Sequence, residues 1–327
     1  MNVLVVGGAG YIGSHMFRML EHSQHQAWVL DNFSTGQRGS VAAERLIEGD
    51  LDDRGLLDRI LQDNKIDAVM HFAAFALVGE SVEDPAKYYQ NNVVATINLM
   101  EAMRAAGVWR FVFSSTCATY GTPTQVPISE QEAQLPINPY GFTKLAVERA
   151  LADYATAYDW GYAALRYFNA SGASPEGDIG EHHDPESHLI PIVLQVALGQ
   201  RDHVTVFGDD YPTPDGTCIR DYIHVDDLAA AHLSALEQLQ PGTELKLNLG
   251  TGLGNSVQEV IDACRRVTGH AIPTKMGQRR EGDPAELVAD SSLAKETLSW
   301  TPEYTDIEKI VETAWKWHQA HPAGYDS

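Results

Sequence analysis

The chain has 327 residues, enough for one large α/β unit or two modest domains with a sizeable core. Its composition, 44% hydrophobic and 21% charged, is that of an ordinary globular protein, and a formal net charge of -22 sets an acidic surface against nucleic acid and anionic membranes as partners. Three separated cysteines, Cys117, Cys218 and Cys264, form no Cys-x-x-Cys pair, so neither a disulfide framework nor a thiolate zinc site is expected, in keeping with a reducing cytoplasm.

Met1 leads at once into the apolar run Val3-Leu4-Val5-Val6, with no leader-like charged and apolar segment and no run of membrane-spanning length, so a soluble cytoplasmic protein is expected. Apolar runs at 2–6, 27–31, 45–49, 68–73, 110–115 and 162–168 predict strands. Most are continuous rather than alternating, as in parallel strands covered on both faces. Helical patterns near 12–22, 53–63, 86–106 and 139–158 separate them. The alternation predicts an α/β fold, a Rossmann-type doubly wound parallel sheet with right-handed crossovers.

After Asn169 the character changes. Residues 170–187, rich in Gly, Pro, Asp, His and Ser, read as a long functional loop. Helices near 188–199, 226–238, 256–268 and 305–319, with strands near 204–207, 245–249 and 286–289, predict a smaller C-terminal α/β substrate domain. The division falls at 1–169 and 170–327, with segments around 220–250 returning to the first domain. Within the loop, Glu181, His182, His183, Asp184 and His188 fit no familiar zinc spacing. They read as a solvated segment, and no metal is expected.

The most informative motif is Gly7-Gly8-Ala9-Gly10-Tyr11-Ile12-Gly13, which follows a strand and opens a helix. Glycines there permit a tight turn and close backbone approach, while the helix N-terminus presents free N–H groups to a pyrophosphate. The spacing is G-x-x-G-x-x-G. The second strand ends in Asp31, 18 residues after Gly13, placed to accept from an adenosine ribose and to repel a 2′-phosphate. NAD is therefore favoured, while Arg38 keeps NADP open. Asp50 ends the third strand where an adenine contact would fall, and His71-Phe72-Ala73 ends the fourth beside the cleft; both also read as plain strand ends.

Tyr140 and Lys144 stand four apart at the start of a helix, after Asn138-Pro139. They follow a strand ending in Ser114-Ser115-Thr116 at the same sheet edge. A phenol with a reference pKa of about 10 is a weak base at neutral pH. An adjacent ammonium and a cationic nicotinamide would both favour phenolate and lower that value. With Thr116 bonding the reacting hydroxyl, these groups make a hydride-transfer site for an alcohol or ketone.

These motifs join GGAGYIGSH at 7–15, DNFSTG at 31–36, SSTCATYG at 114–121, NPYGFTK at 138–144, LRYFNASGA at 165–173, HLIP at 188–191, VFGDDYPTPDGTCIRDYIHVDDLA at 206–229 and RREGDPAELVAD at 279–290. The chain resembles, over nearly its whole length, the extended short-chain dehydrogenases/reductases, and among them the UDP-hexose 4-epimerases. Thr116 is followed by Cys117-Ala118 rather than the acidic pair typical of the related dehydratases.

The resemblance implies interconversion of UDP-glucose and UDP-galactose through a 4-keto sugar, with tightly held NAD and Tyr140 as acid/base. Lys144 would hold the nicotinamide ribose, and Thr116 would bond the reacting hydroxyl. Around the cofactor it places Tyr11, Ile12, Asn32, Leu51, Phe72, Ala73, Asn91, Ser114 and Tyr167. At the nucleotide-sugar end it places Asn169, His188, Leu189, Phe207, Arg220, Arg280 and Asp283. Arg220 and Arg280 suit a pyrophosphate clamp, Asp283 a ribose hydroxyl and Phe207 the uracil.

Three departures from the family pattern stand out. Ala76 replaces a frequent lysine. His188 replaces a frequent asparagine, and either donates to the pyrophosphate or packs in its loop. Leu287 is neither the bulky tyrosine nor the small cysteine of the two specificity groups, which leaves N-acetylated sugars open. Other UDP-sugars, and a non-catalytic NAD-binding regulator, are the alternative readings. A homodimer through helices near 86–106 and 139–158 is the expectation from the family.

Overall fold

The computed structural model describes residues 1–280 and 282–325. Thirteen strands are described. They are β1 (Asn2–Val6), β2 (Gln26–Asp31), β3 (Leu46–Glu48), β4 (Ala68–His71), β5 (Arg110–Thr116), β6 (Gly161–Tyr167) and β7 (Asn169–Ser171). Then come β8 (Val204–Phe207), β9 (Ile219–His224), β10 (Glu244–Leu249), β11 (Gly254–Ser256), β12 (Thr274–Gly277) and β13 (Glu286–Leu287). The helices of the first half are α1 (Tyr11–Glu21), α2 (Arg54–Asp63), α3 (Val78–Glu83), α4 (Pro85–Tyr88), α5 (Ala95–Ala106) and α6 (Pro139–Tyr158). The second half contributes α7 (Leu189–Ala197), α8 (Val225–Gln238), α9 (Val257–Thr268), α10 (Ser292–Leu298) and α11 (Ile307–Ala320).

Seven strands form one sheet in the order β10-β6-β5-β4-β1-β2-β3, with every pairing parallel. Residues alternate along each strand between two apolar layers. Val3, Val5, Met70 and Val112 join α1 and α8 on one face, while Leu4, Val6, Val69 and Phe111 join α2, α5 and α6 on the other. Both faces are covered, and so the strands read as apolar runs. The sheet and its helices form the Rossmann-type architecture. β10 lies parallel to β6, with α8 against α1, so residues 225–249 contribute to this layer.

A third core packs α7, α9 and α11 with Val204 and Val206 of β8 and Tyr222 of β9. β7, β9, β11 and β12 are not foreseen, because they are short and polar or sit in Gly- and Asp-rich context that reads as loop. The 86–106 pattern is an interrupted helix: a π-helical stretch, Tyr89–Val94, joins α4 to α5. Periodicity over 3.6 residues cannot register that local change. No helix among the described residues is long and apolar enough to cross a membrane.

Candidate functional site

The carboxyl ends of β1, β2, β4, β5 and β6 converge on one edge of the sheet, and the glycine turn lies at its centre. Gly7 adopts a positive φ of 74°, and a Cβ there would stand 2.5 Å from the Ala73 amide nitrogen. At Gly13 a Cβ would overlap the Gly7 carbonyl oxygen and lie 2.8 Å from Gly8 Cα. Only hydrogen fits at either place. Gly10 caps α1 with no side-chain bond and no acidic residue in the first turn. The N-terminal amides of Tyr11 and Ile12, with the positive end of the helix, therefore form an anion cradle made of main chain.

Asp31 closes that cradle from β2. It is buried, and its carboxylate accepts from the amides of Ala9 (2.9 Å) and Phe33 (2.8 Å). Burial raises its pKa against the pull of those amides. Asn32 donates to Asp50 at 2.8 Å, linking the ends of β2 and β3, with Leu51 buried beside them. Arg38 pairs with Glu48 at 2.6 Å and lies 3.9 Å from the Phe33 ring centre. The cation that kept NADP open already has a carboxylate partner. The Phe72 amide donates to the Val6 carbonyl at 2.8 Å, and Asn91 donates to Asn92 within the π-helical stretch.

Asn138 caps α6 by accepting from the Gly141 amide at 2.8 Å, with Pro139 in the first turn. This fixes Tyr140, Lys144 and Glu148 as successive turns of one face. Lys144 is buried and donates to the Ser114 carbonyl at 2.8 Å, while the Ser114 hydroxyl is bonded to Tyr167. Burial brings the Lys144 ammonium down to about 7, with Glu148 opposing. Burial also pushes the Tyr140 phenol well above its usual range, with the Thr116 hydroxyl pulling the other way. The expectation of a lowered Tyr140 pKa is therefore not met by the polypeptide's own groups. Desolvation dominates at Tyr140, and burial weakens the neighbouring Lys144 ammonium as well.

Glu148, four residues after Lys144, is a further member of this face that its position in the helix signals. It accepts from Arg166 at 2.6 Å, from Ser115 at 2.5 Å and from Gln134 at 3.1 Å, and Arg166 also donates to Tyr120 at 2.9 Å. The network locks β5, β6 and α6 beneath the Tyr-Lys pair.

The residues expected at a nucleotide-sugar end lie on a different set of elements. Arg220 of β9 is buried, pairs with Asp283 at 2.5 Å and donates to the carbonyls of Ile219 (2.7 Å) and Pro284 (2.9 Å). The Arg280 guanidinium stands 4.2 Å from the Phe207 ring centre. The Asp283 amide donates to the Arg280 carbonyl at 3.4 Å and joins the two pairs in one patch, although Arg220 already has an acidic partner. Asn169 belongs to β7 and pairs in register with Tyr222 of β9. His188 stands at the N-cap of α7, where its ring makes no capping bond and meets Glu186 at 3.2 Å instead, and Leu189 begins that helix. Leu287 packs on a small cluster with Cys117, Tyr120 and Phe168.

The segment between β7 and α7 departs from the solvated loop expected of it. Glu181 and Glu186 are buried. Tyr325 donates to the Gly180 carbonyl at 3.0 Å, Trp317 donates to the Glu181 carbonyl at 3.3 Å, and Arg18 of α1 pairs with Asp178 at 2.5 Å. The loop is packed between α1 and α11. Its polar composition hides this, because the buried groups satisfy one another. Burial disfavours protonation of His183 and His188, yet Glu181 and Glu186 outweigh it and hold them up at about 9 and about 10.

Comparison with known proteins agrees with this geometry. Residues 3–250 match the NAD dependent epimerase/dehydratase family. A UDP-glucose 4-epimerase of Halalkalibacterium halodurans is 54% identical over 100% of this chain and 98% of its own length. A crystal structure of a UDP-glucose 4-epimerase superposes with a TM-score of 0.97 at 50% identity, covering 100% of both chains. A further one, from Brucella ovis in complex with NAD, gives a TM-score of 0.93 at 53% identity over 96% of this chain and 97% of that one.

Proposed function

The chain belongs to the NAD dependent epimerase/dehydratase family, and from that premise we propose that it interconverts UDP-glucose and UDP-galactose by inverting C4 with bound NAD. The observation that carries this reading is the Tyr140-Lys144 face of α6, tied by Lys144 to the carboxyl end of β5, on the same edge of the sheet as the main-chain anion cradle; the arginine-aromatic patch of Arg280 and Phe207 supports it. The cradle suits a dinucleotide and the patch a nucleotide sugar. The cradle fits the cofactor, because Gly7 and Gly13 have no room for a Cβ and α1 opens uncapped. Gly7, Gly10, Tyr11, Ile12 and Gly13 would hold its pyrophosphate, and Asp31 its adenosine ribose. When bound, NAD supplies a reversible two-electron exchange with the sugar C4, so no oxidant is consumed.

The chain's own residues do the rest. Tyr140 takes the proton from the 4-hydroxyl and returns it after the ketone has turned over. Burial keeps its phenol protonated in the polypeptide, so the base form needs a positive charge brought alongside. Thr116 bonds the reacting oxygen. Lys144, held on the Ser114 carbonyl, supplies donors toward the ribose. Arg280, over Phe207, supplies a guanidinium for the pyrophosphate, and Arg220 a second one once its pair with Asp283 is shared.

The test is an assay of purified protein, without added cofactor, on UDP-galactose, UDP-N-acetylgalactosamine and UDP-arabinose. Turnover of UDP-galactose is expected. Inertness on all three with NAD still bound would favour a regulatory protein on the same fold. Turnover of the N-acetylated sugar alone would move the assignment to another UDP-sugar.

We also propose a homodimer and a cytoplasmic location. Tyr89, Val94 and Phe142 are large apolar side chains exposed on neighbouring helices, with the Tyr89 and Phe142 rings 6.2 Å apart. Sedimentation equilibrium at micromolar concentration tests the dimer; a monomer there removes it.

A further inference from the structure

Four side chains in the loop before α7 point at one another across the sequence Glu181, His183, Glu186, His188. One ligand atom from each lies within 4.8 Å of all the others. His188 Nδ1 stands 2.9 Å from Glu181 and 3.2 Å from Glu186, and His183 Nδ1 stands 3.4 Å and 3.5 Å from the same two carboxylates. The carboxylate side chains are only 5% and 2% exposed. No lysine or arginine pairs with either of them among the described residues.

Two buried carboxylates need a double positive charge nearby. Two imidazolium rings, which the carboxylates favour, would supply it, and His188 Nδ1 does bond Glu186 at 3.2 Å, but the bonding is incomplete at His183. The His183 Nδ1 atom is buried and makes no hydrogen bond, although both carboxylates are close. His188 has one Nδ1 hydrogen and two oxygens facing it. A proton satisfies one acceptor at a time, whereas a cation at the common centre satisfies all four atoms. For metal–ligand bonds of about 2.0–2.1 Å the ligand-to-ligand edges of a four-coordinate site are about 3.3–3.4 Å, close to the carboxylate–imidazole spans here. Glu186 is also pre-oriented, because one of its oxygens accepts from the amides of Ser187 (2.7 Å) and His188 (2.8 Å). Such outer bonds fix a ligating carboxylate.

We propose that Glu181, His183, Glu186 and His188 bind one divalent transition-metal ion of the zinc class in a closed, structural site. Four protein ligands leave no open position, so the ion has no part in the reaction. The site lies behind the cofactor cradle: the Tyr11 ring meets His183 edge-on at 6.4 Å, and the Tyr11 hydroxyl donates to the Gly172 carbonyl at 2.6 Å. The ion would pin the loop to the first turn of α1. This assignment does not rest on the sugar-nucleotide reading.

The test uses untagged protein purified without chelator. Elemental analysis is expected to give about one zinc-class ion per chain, and X-ray absorption to show imidazole nitrogen in a first shell at about 2.0–2.1 Å. Chelator-stripped wild-type protein titrated with Zn²⁺ should take up one equivalent and melt at a higher temperature. The His183→Ala/His188→Ala double variant should bind Zn²⁺ more than about tenfold more weakly. Lack of Zn²⁺ uptake by the stripped wild type, a first shell without imidazole, or undiminished binding in the double variant would each overturn the assignment. The wild-type arms stand even if the variant does not fold.

Discussion

The two ends of the site are made of different material. The end proposed for the dinucleotide is main chain: a turn in which Gly7 and Gly13 exclude any Cβ, and a helix left uncapped. The end proposed for the nucleotide sugar is side chain, with Arg220 on Asp283 and Arg280 over Phe207. A main-chain cradle has few ways to vary and fails when any atom is added. A side-chain patch shares its load, so its members fail by degrees. The Tyr140-Lys144 pair rests on a third kind of support, the buried ion network of Glu148 and Arg166.

The largest effect is expected at the cradle. Gly13→Ala should abolish retained NAD and all activity with it, checked by extracting nucleotide from purified protein; full retention would mean that the turn is not the clamp. Next is Tyr140→Phe, which removes the proton acceptor without touching either end. It should cut turnover by roughly 10²–10⁴-fold while NAD stays bound, and near-normal kcat would end the acid/base role.

At the other end, Arg280→Ala should keep NAD in full and raise KM for UDP-galactose about tenfold, worth about 1.4 kcal/mol. If that variant loses NAD instead, the two ends are not separable. Smaller again is a pH effect. Burial holds His232 near 4 and His71 near 3, below the usual imidazole value. The unfolded chain takes up these protons first, so stability is full above about pH 6.5 and is lost as pH falls toward 4. His232→Gln should lose less stability than wild type between pH 7 and 4.5, read from urea midpoints; an equal loss would remove that residue from the linkage. Arg38→Ala should be nearly silent, within about 0.5 kcal/mol in stability and without gain of NADP binding, since Arg38 and Glu48 are exposed partners.

The same contrast decides what could be read before the fold was known. The parallel sheet was legible because both faces are buried, so Val3-Leu4-Val5-Val6 and its counterparts carry apolar runs. Asp31 was legible because a strand end and a glycine turn fix its place. The π-helical stretch at Tyr89–Val94 was not, since it keeps the apolar spacing of its neighbours. Nor were Glu148 and Arg166, two charges buried only because they find each other. The burial of Glu181 and Glu186 was not legible either, because they lie in a segment whose composition reads as solvent-facing. Pairings between distant charges leave little local trace in sequence.

The retained cofactor and the single-pocket oxidation and reduction are tested most directly by an isotope. UDP-galactose carrying deuterium at C4 is incubated with purified protein and no added nucleotide. UDP-glucose with the deuterium still at C4 is the expected product, because the hydride leaves and returns within one turnover. Loss of the label to solvent, or a requirement for added NAD, would contradict it.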